Sequence, residues 1–354
     1  MSKMKLKATY QKYILDFKKP SGTSRGILTQ KETWFLVLEY NGKSGIGECG
    51  ILRGLSIDDR PDYEDKIKWV CNNIYLGETA LWESLIEFPS IQFGIEMAFQ
   101  SLASESPFLL FPSDFTLGQK SILINGLIWM ENELNMKQQI EEKLQQGFSC
   151  IKLKIGAIDF NKELQLLHYI RQNFTAKEIE IRVDANGAFN ESEALDKLNK
   201  LSKYQLHSIE QPIAKNRTDT MADLCKTSKI DIALDEELIG VFSYQDKEIL
   251  LLKIMPQYII LKPSFIGGFR GTNDWIAIAE KHNIKWWITS ALESNIGLNA
   301  IAQYAFLKYN PMPQGLGTGG LFSNNFDCPL EVKGGQLFYN SILKWKVQIE
   351  NFNV

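Results

Sequence analysis

Five ionisable residues, Lys154, Asp184, Glu210, Asp235 and Lys262, recur at steps of 30, 26, 25 and 27 residues, each closing a short apolar run. One strand, one helix and two short loops take about that length. A βα unit that repeatedly ends its strand in an ionisable group reads as a barrel with a catalytic mouth. Asp184, Glu210 and Asp235 end three consecutive strands, so their carboxylates converge and repel one another unless a cation sits between them. An all-oxygen set favours a hard ion, Mg²⁺ first with Mn²⁺ as a substitute, over zinc. Each acid alone could instead cap the following helix. Three in succession favour shared ligation.

Lys152 and Lys154 lie about 6.6 Å apart along one strand. At an effective dielectric near 20 their repulsion is about 2.5 kcal/mol, enough to bring one amine from roughly 10.4 towards 8.5. Such an amine can act as a base near neutral pH. Lys262 ends the sixth strand and faces Lys154 across the opening. Two amines on either side of a cation suit removal of a proton next to a carboxylate. Ser290, Glu293 and Ser294 follow the seventh strand and either line the mouth or cap a helix. The run from Gly315 to Gly320 matches G-x-G-x-x-G, but no clear helix follows it, so dinucleotide binding is set aside. Its glycines allow close backbone approach to a ligand carboxylate or a tight turn. His168, His207 and His282 read as structural, and Trp286 and Trp287 as core.

The barrel that must position these groups occupies residues 119–329, a (β/α)7β variant of the TIM barrel. Strand one is expected at 122–124, followed by a helix over 133–146. Strands two to six are the charged-ended runs, with helices such as 160–174 and 191–203 between them. Strand seven is expected at 285–290 and a short eighth at 314–317. Period-two alternation puts Lys152 with Lys154, and Arg182 with Asp184 and Asn186, on single faces. Residues 1–118 read as an α+β capping domain, with strands at 13–17 and 33–40 and helices at 63–75 and 91–102. Between the strands, residues 18–26 look like a mobile loop of turn-formers. The tail, 330–354, has strand character and is expected to pack back on the capping domain.

At 354 residues, a barrel plus a smaller domain is the natural division. A net charge of −3 without a basic cluster argues against nucleic acid. Five scattered cysteines suit reduced thiols in a cytosolic protein. The first seven residues lack the apolar core of a signal peptide, and no apolar run is long enough to span a bilayer. A cytoplasmic protein is expected, free of membrane, binding a small carboxylate and self-associating if it assembles at all.

The K-x-K pair, the Asp/Glu/Asp trio and the sixth-strand lysine, in this order, resemble the enolase superfamily, muconate-lactonising subgroup. The stretches 19–26, 261–264, 290–294 and 315–319 are most similar to the o-succinylbenzoate synthases of menaquinone biosynthesis. The resemblance implies that Asp184, Glu210 and Asp235 bind Mg²⁺, with Asn186, Glu236 and Glu293 supporting them. It implies that Lys154 removes the proton alpha to the carboxylate of 2-succinyl-6-hydroxy-2,4-cyclohexadiene-1-carboxylate and returns it to the departing hydroxyl. Lys262 would stabilise the charge from the other face, and Lys152 would hold the carboxylate and make its neighbour a better base. Ser21, Gly22, Thr23, Ser24 and Arg25 would close over the succinyl arm. Arg182, Ser290, Gly317 and Thr318 would contact the substrate. An N-acylamino acid racemase or dipeptide epimerase on the same scaffold is the alternative.

Overall fold

The computed structural model describes residues 5–23, 26–347 and 349–352. The chain opens with an antiparallel sheet, β1 (Lys7–Thr23), β2 (Gly26–Tyr40) and β3 (Lys43–Gly50), in sequence order. Alternation along β2 gives the sheet two apolar faces. Trp34, Leu36 and Leu38 pack with Ile67 and Val70 of α1 (Tyr63–Asn72), Leu81 of α2 (Gly77–Glu83) and Ile91 and Ile95 of α3 (Pro89–Ala103). Phe35 and Val37, on the other face, join the core of the barrel. The supposed loop at 18–26 is instead the far end of a long hairpin: residues 18–23 continue β1, with a register break between Asp16 and Ser21. Pro20 is tolerated there because β1 is an edge strand. Ser24 and Arg25 lie outside the described residues.

The short strand β4 (Ile122–Leu123) precedes a seven-stranded parallel sheet. Its strands are β5 (Gly126–Ile128), β6 (Cys150–Lys154), β7 (Glu180–Asp184), β8 (Ser208–Glu210), β9 (Ile232–Leu234), β10 (Tyr258–Leu261) and β11 (Lys285–Ile288), neighbours in sequence order. Between them run α4 (Glu133–Gln145), α5 (Phe160–Asn173), α6 (Glu191–Leu201), α7 (Thr218–Thr227), α8 (Tyr244–Ile254), the single turn α9 (Pro263–Ile266) and α10 (Gly268–Lys281), and α11 (Asn295–Phe306) follows β11. Gln314 and Gly315 bridge the sheet edges, pairing in parallel with Ile124 and Thr289, and so stand as the eighth strand of a closed barrel.

One expectation needs correction. The first barrel strand is β5, whereas β4 pairs antiparallel with β13 (Gln336–Tyr339), itself paired with β12 (Leu330–Lys333). Asn125 and Gly126 split one apolar run between two sheets. The tail therefore builds a hairpin on the barrel side, through a turn in which Gly334 and Gly335 take φ of 59° and 69°. The tail also packs on residues 1–118: the Trp345 ring stacks on Phe108 at 4.2 Å, the Tyr339 ring lies 5.9 Å from Phe115, and the Phe352 ring of the turn Ile349–Phe352 lies 4.8 Å from that of Phe35.

Two contacts fix the sheet, its helices and the barrel relative to one another. A Cβ on Gly47 of β3 would stand 1.9 Å from the carbonyl oxygen of Gly94 and 2.9 Å from Ala98 N, both backbone atoms of α3. Glu96 of α3 accepts hydrogen bonds from the Arg270 amide at 3.0 Å and from that of Phe269, at the N-terminus of α10. Burial outweighs those donors and lifts the Glu96 carboxyl from 4.5 to about 8.

Gly47→Ala should destabilise the fold by about 3 kcal/mol or more, because neither backbone neighbour can yield; urea unfolding measures it. Between pH 4.5 and 8 the folded Glu96 holds a proton that the unfolded chain has released, so its contribution is full below pH 4.5 and is lost as pH rises towards 8. Glu96→Gln should flatten that decline, read as the change in urea midpoint between pH 5 and 8.5.

Candidate active site

Register places the chemistry. Lys154 of β6 pairs with Asp184 of β7, and Asp184 with Glu210 of β8, so the three side chains lie at one level of the barrel interior. Glu210 pairs with Ala233 of β9, and Asp235 stands two residues further towards the mouth. Lys262 follows β10 directly. All six expected residues come together. Asp184 Oδ2 lies 2.9 Å from Lys152 Nζ and 3.0 Å from Lys154 Nζ. Lys152 also pairs with Glu210, and Lys262 with Asp235. Asp235 precedes a 3₁₀ turn without making any side-chain cap bond, so capping is not its use.

Three carboxyl groups and three amines are buried together. Burial disfavours ionised Asp184, but Lys152, Lys154 and Lys262 more than reverse this and hold its carboxyl far below the usual range. Asp235 is lowered too, burial being outweighed by Lys262 and Lys152. Burial works against the Lys152 ammonium, yet the charges of Asp184, Glu210 and Asp235 raise its pKa; Lys262 rises likewise beside Asp235 and Glu210. The expected Lys152–Lys154 repulsion therefore does not govern Lys152: three carboxylates outweigh one neighbouring amine.

Glu210 is the exception among the acids. Burial first, then the charge of Asp184, push its carboxyl well above the ordinary value, and its Oε1 is buried without a hydrogen-bond partner. That is a carboxylate short of positive charge, and the oxygen-only donor set of Asp184, Glu210 and Asp235 fits a hard divalent cation. Among the described residues no three acidic, histidine or cysteine side chains form a ready-made metal cluster. The Lys152 and Lys262 amines occupy the spaces between the acids.

The cluster opens into a cavity of about 840 Å³ between barrel and capping sheet. From the barrel, Lys152, Lys154, Asp184, Asn186, Lys262, Ser290, Gly317 and Thr318 line it; the first domain supplies Lys18, Lys19, Ser21, Ile27, Leu52 and Arg53. Ser290 and Thr318 share a hydroxyl–hydroxyl bond of 2.6 Å. Asn186, at φ 44°, accepts from Lys154 Nζ at 2.7 Å and donates to Glu236 Oε1 at 3.0 Å, linking Lys154 to Glu236.

Other expected residues lie elsewhere. Gly22 faces Met130, whose carbonyl oxygen would be 2.2 Å from a Gly22 Cβ, and Thr23 ends β1. Glu293 bonds Ser264 Oγ and the Ala291 amide, away from the acid trio. Arg182, expected to orient substrate, shares the inward face of Asp184 but lies deeper in the barrel. Its guanidinium bonds Glu180 and the Pro313 carbonyl and stacks on Trp287 at 4.1 Å. Face was legible in the strand; depth was not. Leu52, Arg53 and Trp129 went unnoticed because single residues in turns carry no periodic signal.

The fold and this site define a class. The family model described as enolase C-terminal domain-like matches residues 135–339, and the chain belongs to that family. Membership implies a divalent metal and a small-molecule substrate. The chain is 45% identical to the o-succinylbenzoate synthase of Desulfotalea psychrophila, over 95% of this chain and 99% of that one. The crystal structure of MenC from the same organism superposes with a TM-score of 0.84 at 41% identity, covering 94% of this chain and 99% of that one. A more distant relative, 27% identical over 75% of this chain and 76% of its own, is the L-amino acid-D/L-Glu epimerase of Francisella philomiragia. Among the described residues no helix is long and apolar enough to cross a membrane.

Glu210→Gln should raise the melting temperature of the metal-free protein, since burial and the charge of Asp184 disfavour its carboxylate beyond what Lys152 restores. The same change should abolish the further rise on adding a divalent cation, which reports binding to the folded state. Differential scanning calorimetry with and without Mg²⁺ reads both effects.

Proposed function

We propose that the protein is a Mg²⁺-dependent carbon–oxygen lyase that converts 2-succinyl-6-hydroxy-2,4-cyclohexadiene-1-carboxylate to o-succinylbenzoate and water, serving menaquinone biosynthesis. The single observation that carries the reading is the placement of Lys154 and Lys262 on either side of three buried acids, inside one cavity. The 45% identical relative of the same name supports the choice of substrate. Five cysteines without disulfides fit the reducing cytoplasm.

Asp184, Glu210 and Asp235 would hold the ion. Held there, the ion would supply positive charge that stabilises the ionised substrate and favours a neutral form of one lysine amine. Lys154, in its neutral form, takes the ring proton alpha to the carboxylate, and the electron pair left behind spreads into that carboxylate. Lys262 remains an ammonium on the opposite face and holds this charge. The C–O bond of the ring hydroxyl then breaks, Lys154 returns its proton to the departing oxygen, and water leaves the aromatic product. One lysine serving as base and then acid requires hydrogen and hydroxyl to depart from the same face. Asn186 orients the Lys154 amine, and the hairpin end carrying Ser21 and Ile27 covers the ring against water.

Two facing amines also favour a second reading, racemisation of an N-acylamino acid, in which each lysine carries a proton on its own face. The Gly315–Gly320 run stands where dipeptide epimerases of this subgroup usually carry Asp-x-Asp.

The deciding assay follows aromatisation of the cyclohexadiene by ultraviolet absorbance. Turnover should require a divalent cation, vanish with EDTA and return with Mg²⁺; a folded protein without turnover would contradict the proposal. Lys154→Ala and Lys262→Ala should each lower kcat by about 10³-fold, within the usual range for loss of a positioned acid–base group. If deuterium from solvent enters an N-succinyl amino acid as fast as the cyclohexadiene dehydrates, racemisation is the better reading.

A further inference from the structure

A second buried charge cluster lies behind the cavity wall, where β2 and β3 meet the loop after β11. Lys31 of β2 is 3% exposed, and its ammonium finds no hydrogen-bond acceptor. It fits there because Gly50 of β3 has no side chain: a Cβ would stand 2.6 Å from Lys31 Nζ and 3.0 Å from Thr33 Oγ1. Two fully buried carboxylates share the cluster, Glu48 of β3 and Glu293 of the loop. They converge at Gly297, where a Cβ would meet Glu48 Oε2 at 2.7 Å and Glu293 Cβ at 2.8 Å.

The two carboxylates are not equally supported. Glu48 accepts four hydrogen bonds: from Thr33 Oγ1 at 3.0 Å, Ser294 Oγ at 2.6 Å, and the amides of Ser294 and Gly297 at 2.9 Å each. Those amides open α11, so its dipole supports the same charge. Glu293 accepts from Ser264 Oγ at 2.6 Å and the Ala291 amide at 2.7 Å, with a weaker contribution from its own amide. A fully buried carboxylate with neutral donors needs a counter-charge. Burial pushes the Glu293 carboxyl above its ordinary value; the charge of Lys31 opposes that shift and the charge of Glu48 adds to it.

The Ser264 and Ala291 donors of Glu293 sit at informative places. Ser264 is two residues beyond Lys262, and Ala291 lies in the stretch from Thr289 to Leu292 that lines the cavity. Glu293 thus ties the turn carrying Lys262 to the wall facing the substrate.

We propose that Lys31 is a positioning residue. Its buried charge, delivered by the capping sheet, balances Glu293 and so fixes the turns that carry Lys262 and the cavity wall. This rests on the reading of Lys262 as the second amine of the reaction. It also makes docking of the capping sheet a condition for a correctly set site, since Lys31 comes from one body and Glu293 from the other.

The test compares Lys31→Met, Glu293→Gln and the double variant. Met keeps the reach of the side chain without its charge, and a Gln amide can still accept from Ala291 while Ser264 turns to accept from it. Lys31→Met should lower kcat at least about tenfold while KM changes less than about threefold, a loss of transition-state stabilisation rather than of binding. The double variant should recover kcat to within about threefold of the parent. Amide hydrogen exchange over residues 290–297 should quicken in Lys31→Met and slow again in the double variant. The exchange readout needs no substrate, so it stands even where the parent fails to turn over the cyclohexadiene. If Lys31→Met does not fold, the comparison passes to Glu293→Gln against the double variant, which should be the more active and the better protected. Unchanged kcat and exchange in Lys31→Met, or a double variant no better than the single ones, would overturn the proposal.

Discussion

Three carboxylates and three ammonium groups, buried together in the mouth of a parallel barrel, are the constraint to which the other features answer. Six charges in a protein interior are tolerable only while they compensate one another. Asp184 and Asp235 are held ionised by adjacent amines, whereas Glu210 is left short of positive charge. The positive charge is therefore unevenly shared among the acids. On the proposed reading, Asp184, Glu210 and Asp235 would hold a divalent ion that supplies the charge Glu210 lacks and favours a neutral form of one amine. One uneven distribution would then account both for the place of a cation and for a base on a residue type that is ordinarily protonated.

Architecture delivers this balance by register. Parallel pairing sets Lys154, Asp184 and Glu210 at one level, and the same pairing sinks Arg182 beneath them. Closure through Gln314 and Gly315 completes the ring, while the first sheet supplies the roof. Glu96 and Glu48 each cross from the capping region to the N-terminus of a barrel helix, so the roof is attached by buried carboxylates that donate nothing to catalysis directly.

Much of this is legible in the chain. Parallel strands are buried on both faces, so an ionisable residue at the end of each one stands out against its apolar run, and the pitch between such residues gives the barrel. What escapes is whatever depends on distance along a strand axis or on a partner far away in sequence. Period-two alternation puts Arg182 and Asp184 on the same face and says nothing of which is deeper. The apolar residues from Ile122 to Ile128 serve two sheets, and the choice is made by a hairpin two hundred residues downstream. Lys31 resembles any strand lysine until Gly50 and Glu293 are brought beside it. Residues 18–23 show the converse: their turn-forming side chains are accommodated in an extended edge, because an edge strand needs no partner on its outer side.

Calorimetric titration of the metal-free protein with Mg²⁺, in two buffers of different ionisation enthalpy at one pH near 7.5, measures the protons released per ion bound. The account expects binding with net release of about one proton, because positive charge added beside Glu210 and the three amines favours loss of a proton from the cluster. Binding without proton release, or no binding by the folded protein, would contradict it.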